Sequence, residues 1–479
     1  MKRPRVIVVG GGISGLAAAH RIVERGMGRV DVTLFEASPR LGGVIATERI
    51  GNRLLEGGPD SLIVEKPWAA ELCRRIGLGD ELIPPNAGSR RTLVVHRGRL
   101  EPLPDAFQLM APGRIGPFLR TPILSWPGKL AALKDLVLPR GGPPPGGDES
   151  LASFVRRRLG QEVLERIAQP LIGGIYTADP ETLSLAATMP RFLEMERTHR
   201  SVIAALLRQN RHASAAGTSG ARFALFLTLR GGIGTLVDAL ASRLPQGTVR
   251  TGTPVAGLDR EPEAWRVRLA DGSSEHADAV VMALPAPRAA EVLGGVDASL
   301  ASGMREIQYA SSAIVSLVYR RADLPRPVDA FGFVVPHVEG RRLIAASFSS
   351  VKFPGRVPDG ELVVRVFVGG ALQPDLFRLD DEEIARATRE ELRDLLGVRS
   401  EPLLTRIWRH PESMPQYRVG HPSRVAALRE RAGRHPGLAL AGNAYEGVGL
   451  ADCVKSGEAA ADALLAELEK NQTPRTGSL

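Results

Sequence analysis

The stretch from Arg5 to Glu36 constrains the fold more than any other, because it reads as an apolar run, a glycine turn, a helix, a second apolar run and an acid. Arg5-Val6-Ile7-Val8-Val9 leads into Gly10-Gly11-Gly12-Ile13-Ser14-Gly15, and a helix runs through Leu16-Ala17-Ala18-Ala19 to about Gly26. In a dinucleotide-binding unit Gly10 allows the tight turn off the strand. Gly12 leaves the backbone bare where a pyrophosphate approaches, and Gly15 lets the helix pack on the sheet. The helix N-terminus offers unpaired N–H groups to the phosphates, and Glu36, roughly 20 residues on, can accept both ribose hydroxyls. An acid there disfavours a 2′-phosphate, which leaves FAD or NAD. A Rossmann-type α/β domain is therefore the expected centre of the fold.

At 479 residues the chain is longer than one hydrophobic core usually organises, so two or three joined domains are expected. Its two cysteines, Cys73 and Cys453, lie far apart, which argues against a disulfide framework and for a reducing compartment. The first strand follows Met1-Lys2-Arg3-Pro4 at once, leaving no room for a secretory signal, and no apolar run is long enough to span a bilayer. A cytoplasmic protein is expected. The net charge of +9 raises the question of nucleic acid, yet the arginines are scattered and no zinc-finger, RNP-like or dense lysine pattern is present. An anionic membrane surface or an anionic substrate suits that charge better. The nine histidines show no metal-ligand spacing, and no GxSxG elbow is evident, so no metal and no covalent nucleophile are expected.

Three blocks alternate along the chain. The cofactor domain is expected to be discontinuous, over 1–85, 229–288 and 405–470, with 471–479 as a flexible tail. Its middle part reads as a glycine turn at Leu229–Gly234, a helix from Thr235 to Arg243, strands over Val249–Leu258 and Trp265–Leu269, and a buried return strand beginning at Ala279. Segments 86–104 and 206–228 and the block 289–404 are assigned to a sheet-based, α+β substrate domain. That block carries β-like runs at Ser311–Tyr319, Phe331–Pro336, Leu343–Phe348 and Leu362–Gly369, and a helix from Asp380 to Leu396. Residues 105–205 read as a helical subdomain. Its apolar helix faces, with Trp126 and the flanking Arg114, Arg120, Lys129, Lys134 and Arg140, suit an interfacial membrane anchor, and suit equally a subdomain whose apolar faces are core. Gly141–Gly147 is expected to be a surface loop, with a new helix opening at Asp148-Glu149-Ser150.

After Glu36 the chain continues Ala37-Ser38-Pro39-Arg40-Leu41-Gly42-Gly43, which resembles the ExxxRLGG extension of the amine-oxidase and porphyrinogen-oxidase flavoproteins and favours FAD over NAD. Gly58-Pro59-Asp60-Ser61, Gly173–Ser184, Glu196-Arg197-Thr198-His199-Arg200-Ser201 and Gly442–Cys453 follow in order. Together they are similar to motifs of the porphyrinogen oxidases of haem biosynthesis over nearly the whole chain. The resemblance implies noncovalent FAD, molecular oxygen as acceptor, and removal of six electrons from a macrocycle in three flavin cycles with release of hydrogen peroxide. Peripheral membrane association is expected from the 105–140 segment, with hand-over to the next haem-pathway enzyme as a further partner reading. Thr198-His199-Arg200-Ser201 resembles the version in protoporphyrinogen-specific members, so oxidation of protoporphyrinogen IX to protoporphyrin IX is the expected reaction. The alternative, coproporphyrinogen III, carries two more propionates, and Arg90 with Arg91 would suit it. An amine oxidase, a carotenoid desaturase or a docking protein of low turnover are remoter readings.

The expected cofactor contacts are Gly10, Gly11, Gly12, Ile13, Ser14, Gly15, Glu36, Ala37, Arg40, Gly42 and Gly43, then Gly58, Pro59, Asp60 and Ser61 near the flavin, with Val255 beside the adenine. The resemblance adds Trp408, Asn443, Val448, Gly449 and Leu450, with the helix after Gly449 aiming its N-terminus at the flavin, where it would favour negative charge on the reduced ring. Cys453 lies close by, and a flavin thioether is conceivable there, but the resemblance argues against it. On the substrate side the resemblance implies that Phe331, Val334 and Phe367 line a flat slot, that Gly174 approaches with its backbone, and that Arg91 pairs with a propionate. No acid or base is identified; catalysis is expected to rest on positioning and on the flavin.

Overall fold

The computed structural model describes residues 3–86, 91–104, 107–141, 147–215, 226–262 and 264–472. Arg90, most of the Gly141–Gly147 loop and most of the C-terminal tail lie outside the described residues.

A five-stranded parallel sheet forms the centre, in the order Val249–Arg250, Asp31–Phe35, Arg5–Val9, Ala279–Met282, Leu438–Leu440. Its strands are buried on both faces, which is why they read as continuous apolar runs. Val6 and Val8 pack with Leu16, Ala18 and Val454 on one face, while Ile7 and Val9 pack with Trp265 and Met304 on the other. The helix Ile13–Gly26 and the C-terminal helix Leu450–Gln472 lie side by side on the first face. An antiparallel meander, Val255–Arg260, Trp265–Leu269 and Ser274–Ala277, leads into the return strand Ala279–Met282. Phe226–Leu229, at the end of a segment expected in the substrate domain, pairs instead with Leu62–Ile63 and Leu82–Ile83.

The second sheet has seven strands in the order Leu404–Pro415, Tyr309–Arg320, Glu361–Gly369, Ala345–Phe348, Gly332–Val334, Thr92–His96, Arg99–Pro102. Leu404–Pro415 was expected with the cofactor domain from residue 405 onward; its backbone is hydrogen-bonded along Tyr309–Val318, so the strand belongs to the substrate sheet. The helix Asp381–Leu396, opened by a capping box between Asp380 and Glu383, covers one face through Ile384 and Leu392. The other face meets the helical subdomain.

The helices Trp126–Leu133, Leu151–Leu159, Gln169–Tyr176, Pro190–His199 and Val202–Ala215 enclose their own core of Phe118, Ile123, Phe154, Ile167 and Phe192. Most apolar residues of 107–141 are therefore core. Trp126, Leu130 and Val137 are not: they are 64%, 62% and 73% exposed.

Candidate active site

The site is a trough that starts at the glycine turn. Gly12 is the N-cap of the first helix, and a Cβ built on it would meet no protein atom within 4 Å. No side chain caps that helix end and no acid lies in its first turn, so its N–H groups are available to a phosphate. Glu36 is held in place by its own neighbourhood: Oε2 accepts the N–H of Gly11 at 2.7 Å and Oε1 that of Ser38 at 2.8 Å. A carboxylate has about four acceptor sites, so capacity remains for two ribose hydroxyls. The N–H of Thr253 donates to the Glu36 carbonyl at 2.9 Å, which brings the segment leading to half-buried Val255 alongside. These features fit the adenosine and pyrophosphate of FAD.

Arg40 holds the loop at the edge of the trough. Its guanidinium donates to the carbonyls of Ile45 at 2.8 Å and Gly43 at 2.6 Å and so folds the loop that carries Gly42 and Gly43. Both glycines have positive φ, and a Cβ on Gly43 would lie 3.4 Å from Gly12 Cα. Exposed Gly43 and Val44 continue the trough to Gly58, whose Cβ position lies 2.0 Å from the Val44 carbonyl oxygen. On the opposite bank Gly449 is exposed and Leu450 opens the C-terminal helix.

The seven-stranded sheet reaches over to hold the segment Gly57–Ser61. Trp408 lies flat against Gly57, where a Cβ would be 2.5 Å from three indole atoms. His410, two residues along the strand, donates from Nε2 to the Gly57 carbonyl at 2.6 Å; burial keeps its pKa below the usual histidine value, so the neutral ring is the donor. Arg365 donates to the Gly58 carbonyl and pairs with Asp60 at 2.9 Å, and Lys352 pairs with Asp60 at 3.1 Å. Burial opposes ionisation of Asp60, yet the two cations hold its carboxyl well below the ordinary range. The far bank is fixed by Tyr417, whose hydroxyl donates to the Asn443 carbonyl at 2.5 Å and accepts the Gly447 N–H at 2.8 Å. Lys66 and Asp452 add an ion pair at 2.7 Å beside the same loop. His410, Arg365, Lys352, Tyr417 and Lys66 escaped the sequence reading, since each acts on a backbone group or acid remote in sequence.

Of the five expected substrate residues, Gly174, Val334 and Phe367 converge. A Cβ on Gly174 would lie 3.9 Å from Val334 Cγ1, and both Val334 and Phe367 pack on the helical core below it. Gly174 and Ile175 are exposed at the end of the helix Gln169–Tyr176, facing open space. Phe331 precedes the strand Gly332–Val334 and falls in its alternation with Phe333 and Val335, which pack in the core on the other side of the sheet. Arg91 is 57% exposed and forms an ion pair with Asp329. The Thr198–Ser201 motif is also placed away from the slot. Ser201 donates to buried Asp135 at 2.6 Å, and Arg158 donates to Asp135 at 2.6 Å and to the Arg200 carbonyl at 2.5 Å. That motif shapes a helix-to-helix turn. Cys453 is buried and interacts with Ser14; burial pushes its thiol up to about 12. Among the described residues no group of three or more His, Cys, Asp or Glu is placed to hold a metal.

Residues 13–465 match the family described as flavin containing amine oxidoreductase. Coproporphyrinogen III oxidase of Propionibacterium freudenreichii is 38% identical over 96% of this chain and 90% of its own length. Human protoporphyrinogen oxidase is 34% identical over 96% of this chain and 98% of its own. A crystal structure from Exiguobacterium sp. 255-15 described as a protoporphyrinogen oxidase superposes with a TM-score of 0.86 at 30% identity, covering 98% of this chain and all 100% of that one. The chain belongs to the flavin-containing amine oxidoreductase family. Within it, the chain is an oxidoreductase of the porphyrinogen-oxidase type with FAD as its cofactor.

Proposed function

We propose that the chain oxidises coproporphyrinogen III to coproporphyrin III. The observation that carries the porphyrinogen part of this reading is the apolar group of Gly174, Val334 and Phe367, tied to the trough by Arg365, which lies 5.4 Å from the Phe367 ring and donates to the Gly58 carbonyl. A flat macrocycle needs apolar walls and close backbone approach, and Gly174 leaves that approach open. When bound, FAD accepts two electrons per round and passes them to oxygen, so three rounds remove six electrons and yield three peroxides. The residues of this chain bind, orient and exclude water. Trp408, His410 and Arg365 fix the ring-end backbone, and the buried helical core under the slot keeps solvent out.

The choice of substrate is supported by the 38% identical relative. Protoporphyrinogen IX is the second reading, supported by the 34% identical human relative. The deciding experiment is aerobic turnover of FAD-loaded protein on both porphyrinogens in parallel, with porphyrin fluorescence and peroxide read together. Preference for coproporphyrinogen III with about three peroxides per porphyrin is expected; preference for protoporphyrinogen IX would reassign the substrate, and no turnover on either would sink the reading.

The same reading includes peripheral membrane association. Trp126 and Leu130 share one face of the helix Trp126–Leu133, Val137 follows it, and Arg120, Lys134 and Arg140 nearby in the chain are exposed. Exposed aromatic and aliphatic groups flanked by cations suit the headgroup boundary of an anionic bilayer. Among the described residues no helix is long and apolar enough to cross a membrane.

A further inference from the structure

Beneath Gly58–Ser61 lies a cluster of charged groups that the binding of FAD does not by itself require. Asp60 receives Lys352 at 3.1 Å through one oxygen and Arg365 at 2.9 Å through the other. Lys352 also donates to Ser61 Oγ at 3.0 Å and sits over the rings of Phe226, at 4.9 Å, and Phe353, at 5.0 Å. A third cation, Arg356, is 1% exposed and donates only to neutral acceptors: Thr228 Oγ1 at 2.8 Å and the carbonyls of Leu229 at 3.2 Å and Arg230 at 3.4 Å. Thr228 passes the contact on by donating to the Asp60 carbonyl at 2.8 Å. The remaining acid, Glu56, is occupied by Thr47 and by the Ile233 N–H, and burial pushes its carboxyl upward, toward the neutral form.

Three cations thus stand against two acids, Asp60 and Glu56, and only Asp60 is paired with any of them. An excess of buried positive charge is costly to fold unless an anion comes to meet it. Position decides which anion. Glu36 would hold the adenosine end and Gly12 the pyrophosphate, and Gly43, Val44 and Gly58 follow in contact with one another, so Gly58–Ser61 would hold the ring end. The ring gains negative charge when it accepts electrons.

We propose that Lys352, with Arg365 and Arg356, forms a buried cationic support under the flavin ring that favours the reduced, anionic cofactor and so raises its reduction potential. The inference rests on the reading of the chain as a flavin-dependent porphyrinogen oxidase, but it concerns the cofactor alone. Lys352 is a positioning residue here: it acts through the field at the ring and through Asp60.

The test is the two-electron midpoint potential of the FAD-loaded protein, titrated against reference dyes with no porphyrinogen present. Lys352→Met should shift the oxidised-to-reduced equilibrium toward the oxidised form by at least tenfold, about 30 mV for a two-electron couple. Lys352→Arg, which restores the charge, should stay within twofold of the parent. If the methionine variant does not retain FAD, Lys352→Gln carries the same expectation. An unmoved potential in the neutral variant, or equal shifts in the neutral and arginine variants, would overturn the proposal. A raised KM for porphyrinogen with the potential unmoved would assign the charge to substrate propionates and overturn it equally. Because the titration needs no substrate, failure here is separable from failure of the turnover experiment.

Discussion

A Cβ on Gly15 would lie 1.9 Å from the carbonyl oxygen of Gly10, while one on Gly12 would meet no protein atom within 4 Å. The two glycines of one motif therefore serve different ends. Gly15→Ala should destabilise the fold by about 1–3 kcal/mol or more, because backbone must move. Gly12→Val should leave unfolding of the FAD-free protein nearly unchanged yet weaken FAD at least a hundredfold, about 2.7 kcal/mol. Denaturation of the FAD-free forms and FAD titration by fluorescence read the two effects separately.

Asp135 and Arg158 form a fully buried pair that also fixes Ser201 and the Arg200 carbonyl. Asp135→Ala removes the close partner of the guanidinium, leaving it only Glu196 at 3.5 Å, and should cost about 3 kcal/mol. Urea unfolding checks the size. A soluble Ser201→Ala variant that changes substrate preference would contradict a purely architectural role for this turn.

His421 is 1% exposed, is stacked on Tyr417 with ring centroids 3.9 Å apart, and is within hydrogen-bond distance of the Tyr445 carbonyl through Nε2 at 3.1 Å. Burial lowers its pKa to about 4. The unfolded chain, with a histidine near 6.5, takes up the proton first on acidification. Stability from this group is therefore complete above about pH 6.5 and is lost as pH falls toward about 4, by roughly 3 kcal/mol in all. His421→Gln should flatten the fall in urea midpoint between pH 7 and pH 5.

Cys73 and Cys453 are buried, and burial pushes both thiols up to about 12. Neither is a thiolate at neutral pH, so both should resist a thiol reagent in the native protein and react at once in denaturant. Acid precipitation should release the flavin quantitatively. Flavin retained in the pellet would argue for a covalent link.

Replacing Trp126, Leu130 and Val137 together by Gln, Gln and Ser removes three exposed apolar groups without touching the buried core. Cosedimentation with anionic vesicles should fall by tenfold or more, while thermal unfolding stays within a few degrees of the parent. Unchanged vesicle binding would remove the patch from any membrane role.

Much of the scaffold was legible locally. The strand, turn, helix and acid of Arg5–Glu36, the meander over Val255–Ala277 and the helix Asp381–Leu396 each carry their pattern within a few dozen residues. Arg40, Trp408 and Asn443 were picked out as residues near the cofactor, but what they touch was not legible. Arg40 folds a loop, Trp408 covers Gly57, and Asn443 is held by Tyr417. Phe331 and Arg91 were legible as residues beside a strand, but not the sheet face of one or the Asp329 partner of the other.

The sequence by itself determined that a dinucleotide would be bound, since that depends on spacing along one continuous segment and on glycines that no side chain can replace. Only the tertiary structure decided which groups surround the ring end of that ligand. Lys352 meets Asp60 across 292 residues and Arg365 meets Gly58 across 307, through strands whose order in the sheet bears no simple relation to their order in the chain. Periodicity tells which face of a strand is apolar, but long-range charge pairing depends on strand neighbours and register. Those are set by how the two sheets pack, and no local pattern records them.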